Sequence, residues 1–169
     1  MDYSAIAAWA AVGAVACTLL VVWLQNNKAK ELACLQLFVQ ISAQYDSADM
    51  QKVRASLAAH LLEDRKALDV SDCLLVFFEN VAILHRRKLL DEELVRNTFS
   101  IDVVSYWQAL QHYVYHTREV YGEEYGPDFY TEFEEMNDHF IKEMNGKPLS
   151  DDAVNDFLLS EANRGKLRV

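Results

Sequence analysis

Apolar residues recur with a helical period along most of the chain. Met50, Val53, Leu57 and Leu61 repeat every three or four positions, which is the spacing of one face of an α-helix. Neither glycine nor proline occurs from residue 14 to residue 121. Because tight turns favour both residue types, their absence indicates long helices. The sequence therefore predicts an all-α fold.

Capping residues mark where the predicted helices begin, since glycine and proline give few boundaries. Short polar side chains that accept a hydrogen bond from a first-turn amide precede the periodic runs. These are Asp46 with Ser47, Asp69 with Ser71 and Asp72, Asp91, Ser100 with Asp102, and Ser150 with Asp151 and Asp152. The predicted helices cover about residues 5–44, 48–62, 71–87, a short stretch after 91, 102–121, 127–145 and 150–162.

The first predicted helix opens with an uncharged apolar segment, Ala5 to Leu24. At about 1.5 Å per residue it would span roughly 30 Å, the thickness of the hydrocarbon core of a bilayer. Lys28 and Lys30 follow the segment, and basic residues favour the cytoplasmic side. The sequence predicts a single N-terminal transmembrane helix followed by a cytoplasmic helical bundle. The N-terminus is then predicted to lie outside.

The alternative for this segment is a cleaved signal peptide. Ala14-Val15-Ala16 would suit the cleavage site. However, the segment lacks a basic stretch before it, and apolar residues continue beyond that point. These two features favour a retained anchor.

Small residues form one face of the predicted anchor. They are Ala7, Ala10, Ala14 and Cys17. Such a face allows another transmembrane helix to approach closely, although alanine is also tolerated against lipid. Helix packing and simple lipid exposure both remain open for this face.

Length and charge limit the organisation and the partners. The predicted regions are the tip and anchor (1–27), the helical bundle (28–146), and a short helix with a tail (147–169). The net charge is −10, and residues 123–169 contain 12 acidic and five basic residues. Such a surface repels nucleic acid, so we expect a protein partner or a homo-oligomer. The cysteine spacing suits neither a disulfide framework nor a zinc site.

Glu79 stands out because it interrupts an apolar run from residue 74 to residue 84. Arg54 and Arg118 lie on apolar stripes of other predicted helices. A buried carboxylate is seldom left unpaired, so Glu79, Arg54 and Arg118 are predicted to form one structural polar centre. The alternative is a catalytic acid with a perturbed pKa.

A second candidate is a metal site. His112, His116 and Glu119 are spaced to lie on one helical face and could bind a metal together. No Glu-x-x-His motif accompanies them, as a carboxylate-bridged two-metal bundle would need. Exposed polar positions on amphipathic helices explain these residues more simply than a metal does, and no cofactor is expected.

Several short motifs resemble a known family. They are Phe77-Phe78-Glu79-Asn80, Leu90-Asp91-Glu92-Glu93-Leu94-Val95, Phe99-Ser100, Tyr106-Trp107, Arg118 and Phe133-Glu134. The pattern is similar to a bacterial family of small, membrane-anchored helical proteins known as a domain of unknown function. The likeness covers Gln44 to Met136. It implies this architecture and a location in a bacterial inner membrane, and no particular activity, substrate or cofactor.

The sequence contains no motif of a familiar enzyme class. It has no Gly-x-Gly-x-x-Gly or Walker loop and no nucleophile elbow, which excludes those routes to nucleotide binding or hydrolysis. The favoured prediction is a membrane-tethered protein-interaction module or an accessory subunit of a membrane assembly, rather than an enzyme. The alternative is an enzyme or sensor with a buried site of glutamate, arginine and histidine.

Overall fold

The computed structural model describes residues 3–68, 70, 72–125, 128–144 and 146–164. Within these ranges, side chains are described from residue 18 onward, except at residues 123–125. The regular elements in the described chain are six helices: α1 (Tyr3–Tyr45), α2 (Ala48–Glu63), α3 (Cys73–Arg86), α4 (Glu92–Tyr125), α5 (Thr131–Glu143) and α6 (Asp151–Arg164). The predicted all-α fold is confirmed.

Helix α1 is continuous, as predicted, but only its last turns join the bundle. Ile41 and Tyr45 are buried against the core, whereas Leu32, Leu35 and Val39 are exposed. The stretch from Leu32 to Ile41 therefore packs against the bundle along one side only. The apolar side chains face in more than one direction, and the bundle covers only one side of the helix.

The apolar segment of α1 is only partly described. Over the described residues, no helix is both long enough and apolar enough to span a bilayer. Much of the segment predicted to do so, including the whole small-residue face, lies outside the described side chains. That face comprises Ala7, Ala10, Ala14 and Cys17. The described remainder, residues 18–24, is exposed.

The other helices form two packed pairs linked by α4. Helix α2 packs along α6, and α3 packs along α5, while α4 contacts both α5 and α6. Aromatic rings fill the space between α3, α4 and α5. Phe78 stacks on Phe133 with ring centroids 5.1 Å apart, and the Trp107 ring meets Phe133 edge-on at 5.2 Å. Burial of such large rings contributes much of the core.

Three of the predicted caps are confirmed. Ser47 Oγ accepts from the amide of Met50, Asp91 Oδ1 from that of Leu94, and Ser150 Oγ from that of Ala153. Each bond satisfies an amide that has no partner within its own helix. Asp69 and Ser71, also expected as caps, lie outside the described residues.

Helix α4 runs through the break predicted at Ser100 and Asp102, so that prediction is wrong. The Asp102 side chain makes a tertiary contact instead, because its Oδ2 accepts a hydrogen bond of 2.7 Å from the hydroxyl of Tyr45. The backbone of α4 leaves helical geometry at Gly122, where φ is 71°. Glycine adopts this left-handed conformation without the steric cost that a Cβ atom brings.

Candidate functional site

Arg54 and Glu161 form a buried ion pair between α2 and α6. Arg54 lies on the same face of α2 as Leu57 and Leu61. Glu161 lies on the same face of α6 as Val154 and Leu158. Arg54 Nε lies 2.7 Å from Glu161 Oε2, and the side chains are 2% and 1% exposed. Removing both charges from water is costly, so the pair depends on close contact and on further hydrogen bonds.

Two tyrosines complete this centre. The Tyr106 hydroxyl donates to Glu161 Oε2 at 2.9 Å, and the Arg54 guanidinium lies 4.0 Å above the Tyr45 ring. Burial, reinforced by the Asp102 carboxylate, raises the pKa of Tyr45, and burial next to Glu161 raises the pKa of Tyr106. Both hydroxyls therefore stay neutral donors. We call Arg54, Glu161, Tyr106 and Tyr45 the inner polar centre.

Glu79 has a different partner from those predicted. It is half-buried on α3, and its two carboxylate oxygens accept from the amides of Phe133 at 2.8 Å and Glu132 at 3.3 Å. The residue before α5, Tyr130, makes no side-chain capping bond. Glu79 thus caps α5 from another helix. Burial raises the pKa of Glu79, although the two amides oppose that effect.

Arg118 contacts the start of α5 separately. Its Nη1 lies 2.7 Å from Glu134 Oε2, and its Nε donates to the carbonyl of Phe129 at 2.9 Å. The single centre predicted from Glu79, Arg54 and Arg118 is therefore divided into three contacts. Apolar stripes correctly placed Arg54 inside, but periodicity does not reveal which helices face each other.

The predicted metal candidates do not converge. His112 is exposed at a groove beside Arg65, whereas His116 is half-buried and Glu119 is exposed. Among the described side chains, the group whose ligand atoms converge is instead His85, Glu92 and His139. The helical spacing of His112, His116 and Glu119 aligns them along one face, but the described side chains form no converging group of metal ligands there.

His85, Glu92 and His139 form what we call the histidine cluster. His85 lies in the last turn of α3, Glu92 begins α4, and His139 lies on α5. Glu92 Oε2 is 3.0 Å from His85 Nε2, and Glu92 Oε1 is 2.8 Å from His139 Nε2. Burial opposes ionisation of Glu92, but hydrogen bonds from both imidazoles outweigh it and hold the pKa of Glu92 below its usual range.

A cleft of about 500 Å³ opens beside the histidine cluster. Its walls include Lys30 and Cys34 of α1, Lys88 of the α3–α4 turn, and the cluster residues His85 and Glu92. The cluster is therefore reached from solvent, in contrast to the inner polar centre. Two imidazoles and a carboxylate are suitable ligands for a divalent transition metal.

Sequence reasoning missed this cluster because no local motif marks it. His85 and Glu92 stand seven residues apart across a helix break, and His139 comes from a third helix. The available signal was the position of His85 in the last turn of one predicted helix and of Glu92 in the first turn of the next. That arrangement places the two side chains at one end of the bundle.

Comparison with known families decides the membership of the chain. The family model described as "Domain of unknown function (DUF4760)" matches residues 5–140. The chain belongs to this family. The DUF4760 match includes all of the histidine cluster and Arg54 but ends before Glu161. Searches of curated proteins and of solved structures found no match.

Proposed function

We propose that the protein is a membrane-tethered helical interaction module. In this proposal residues 5–24 cross a bacterial inner membrane once, and the bundle lies in the cytoplasm, where it binds a protein partner or a second copy. The observation that carries the proposal is the exposure of Leu19–Leu24. All six consecutive apolar side chains are between 46% and 65% exposed.

A run of consecutive exposed residues points in every direction around a helix. One groove of the bundle would cover only one side of such a helix, whereas lipid covers all of them. An uncovered apolar helix of this kind favours a bilayer as its surroundings. Lys28 and Lys30 support an orientation with the bundle inside.

Beyond the apolar segment, α1 retains an apolar stripe. Leu32, Leu35 and Val39 recur at intervals of three and four residues and are 67%, 49% and 57% exposed. This stripe suits contact with another helix, as in a dimer joined along α1 or a complex with a partner subunit. The interaction role rests on this stripe.

The alternative function, an enzyme or sensor built on Glu79, Arg54 and Arg118, has less support. Those residues belong to three separate contacts, and two of the three satisfy helix ends or buried charges. Such contacts explain the residues without a substrate.

The membrane part is tested with the full-length chain and a chain that begins at Gln25. We expect the full-length chain to need detergent for extraction, and the shorter chain to be soluble and helical by circular dichroism. A periplasm-dependent reporter fused after Val169 should stay inactive. Activity of that reporter would overturn the orientation, and detergent-free extraction of the full-length chain would overturn the anchor.

The interaction part is tested by replacing Leu32, Leu35 and Val39 with serine in the full-length chain. The oligomeric mass in detergent, or the recovery of a copurifying subunit, should fall. The matched control is Leu159→Ser on α6, which removes a 49% exposed apolar side chain away from the stripe. Equal mass and equal recovery in all three proteins would overturn the role of the stripe.

A further inference from the structure

We propose that His85, Glu92 and His139 bind one divalent transition-metal ion of the zinc or iron(II) type. The three side chains come from three helices, and their ligand atoms all lie within 4.8 Å of one another. Two histidines and one carboxylate leave open positions on a metal ion, which is the arrangement of metal sites that also bind water or a small molecule.

The distances within the cluster are close to those between the ligands of one coordinated ion. Ligand atoms bound to zinc at about 2.1 Å in a tetrahedron lie about 3.4 Å apart. In the cluster, the two nitrogen-to-oxygen distances are 3.0 Å and 2.8 Å. Since His85 faces Oε2 of Glu92 and His139 faces Oε1, rotation of these side chains would bring both nitrogens and a carboxylate oxygen around one ion in place of the bridging protons.

The orientation of the rings favours this interpretation over an ordinary surface ion pair. Both imidazoles direct Nε2 toward the same carboxylate, and the ring centroids are 5.7 Å apart. The His85 side chain is only 12% exposed, so packing fixes one of the three ligands. An ordinary surface pair, in contrast, leaves both partners mobile in water.

A second carboxylate is available beside the cluster. Glu143 Oε1 lies 3.8 Å from His139 Nε2 and one helical turn after it. Arg96 Nη1 lies 3.9 Å from the same oxygen, so Glu143 is held near the cluster by a basic side chain. Glu143 is suited to contribute a fourth ligand or to orient a bound water.

The nature of the ligands selects the class of metal. Imidazole nitrogens suit zinc, iron, nickel and copper, whereas magnesium and calcium prefer a full set of oxygen ligands. The neighbouring cleft carries Lys30 and Lys88 but also Glu31 and Asp91, so its charges give no preference for an anion at an open coordination position. A bound ion would also join the ends of α3, α4 and α5.

The test uses full-length protein in detergent, stripped with a chelator and then titrated with Zn²⁺ or Co²⁺. We expect one equivalent to bind, the thermal midpoint to rise, and Co²⁺ to give a visible ligand-field spectrum. Magnesium should not compete. Binding of less than a tenth of an equivalent, or full competition by magnesium, would overturn the proposal.

Variants assign the binding to these residues. His139→Gln and Glu92→Gln should each weaken Zn²⁺ binding by at least about tenfold, since even loss of a supporting residue weakens metal sites by that factor. His112→Gln and His116→Gln are the matched controls and should bind as the unmodified protein does. Circular dichroism confirms that each variant is folded. Equal affinity in His139→Gln and the unmodified protein would assign any binding elsewhere and refute the site.

Discussion

The inner polar centre and the histidine cluster both connect helices that are distant in sequence, but they differ in their access to water. Arg54 and Glu161 are almost fully buried, whereas the side chains of Glu92 and His139 are 57% and 43% exposed. The inner charges rely on each other, on nearby tyrosines and, for Glu161, on Arg164, whose Nη1 lies 3.1 Å from Glu161 Oε1. The charges of the cluster can exchange partners with solvent or an ion.

This difference separates structural from exchangeable polar contacts. A buried charge left without its partner is penalised by the full cost of desolvation, whereas an exposed one is resolvated. The inner polar centre should therefore dominate stability and contribute no binding chemistry. The histidine cluster should contribute little to stability in the absence of metal. Each prediction below tests one side of this contrast.

The largest expected effect comes from breaking the inner pair. Glu161→Ala leaves Arg54 buried and unpaired, and should lower the free energy of unfolding by about 3 to 5 kcal/mol. Glu161→Gln should cost less, because the amide oxygen can still accept from Tyr106. Urea denaturation followed by circular dichroism measures both.

Two controls sharpen this test. Glu143→Ala removes a carboxylate that makes long surface contacts with Arg96 and His139, and in metal-free protein should change stability by about 1 kcal/mol or less. The double change Arg54→Met with Glu161→Leu removes both charges, and should recover most of the loss of Glu161→Ala. Similar losses for Glu161→Ala and Glu143→Ala would mean that the inner pair is open to water.

Periodicity and caps predicted the fold, because they depend on neighbours within one helix. The stripe containing Arg54 indicated its burial, and Ser47 and Ser150 marked two helix starts. Asp102 was wrongly predicted to cap a helix, because that prediction too considered only neighbours within one helix. Its side chain is chemically suited to a cap, but Tyr45, distant in sequence, provides the donor that it binds.

The partners could not be predicted, because they depend on which helix faces which. Glu161 lies in a segment that the sequence indicated only as a short helix with a tail, yet that helix covers α2 and neutralises Arg54. Glu79 was correctly selected as a carboxylate that needs a partner. Its partners are backbone amides of α5, which no pattern of side chains indicates.

An intermediate effect is expected at Glu79, whose carboxylate replaces the missing cap of α5. Glu79→Ala should lower the free energy of unfolding by about 1 kcal/mol, as loss of a helix cap usually does. The loss for Glu79→Gln should lie between zero and that of Glu79→Ala, since glutamine keeps one acceptor oxygen. Hydrogen exchange measured by NMR should show faster exchange of the Phe133 amide in Glu79→Ala.

The matched control for Glu79 is Glu135→Ala, which removes an exposed carboxylate from α5 itself. Both its stability and the exchange of the Phe133 amide should stay close to those of the unmodified protein. Unchanged exchange in Glu79→Ala would show that the carboxylate does not cap α5. If Glu79→Ala lost as much unfolding free energy as Glu161→Ala, Glu79 would behave as a fully buried charge, as Glu161 does.

The smallest expected effect on stability concerns Asp102. Here the substitution should raise the free energy of unfolding instead of lowering it. Burial raises the pKa of the Asp102 carboxyl, although the hydrogen bond from Tyr45 opposes the shift. A carboxyl with a raised folded-state pKa contributes stability that is fully present below its ordinary pKa and is lost as pH rises through the folded value. At neutral pH the ionised carboxylate therefore weakens the fold.

Asp102→Asn keeps an oxygen that accepts from Tyr45 and removes the buried charge. The variant should be more stable than the unmodified protein at neutral pH by about 1 kcal/mol or less, the scale of one hydrogen bond. This advantage should shrink as pH falls below the ordinary range of aspartate, because the unmodified carboxyl is then protonated as well. Urea denaturation across that range measures both proteins, with the exposed Asp156→Asn on α6 as control. If Asp102→Asn were instead the less stable protein at neutral pH, Asp102 would be stabilised as an anion by Arg54, and the inner polar centre would include a second carboxylate.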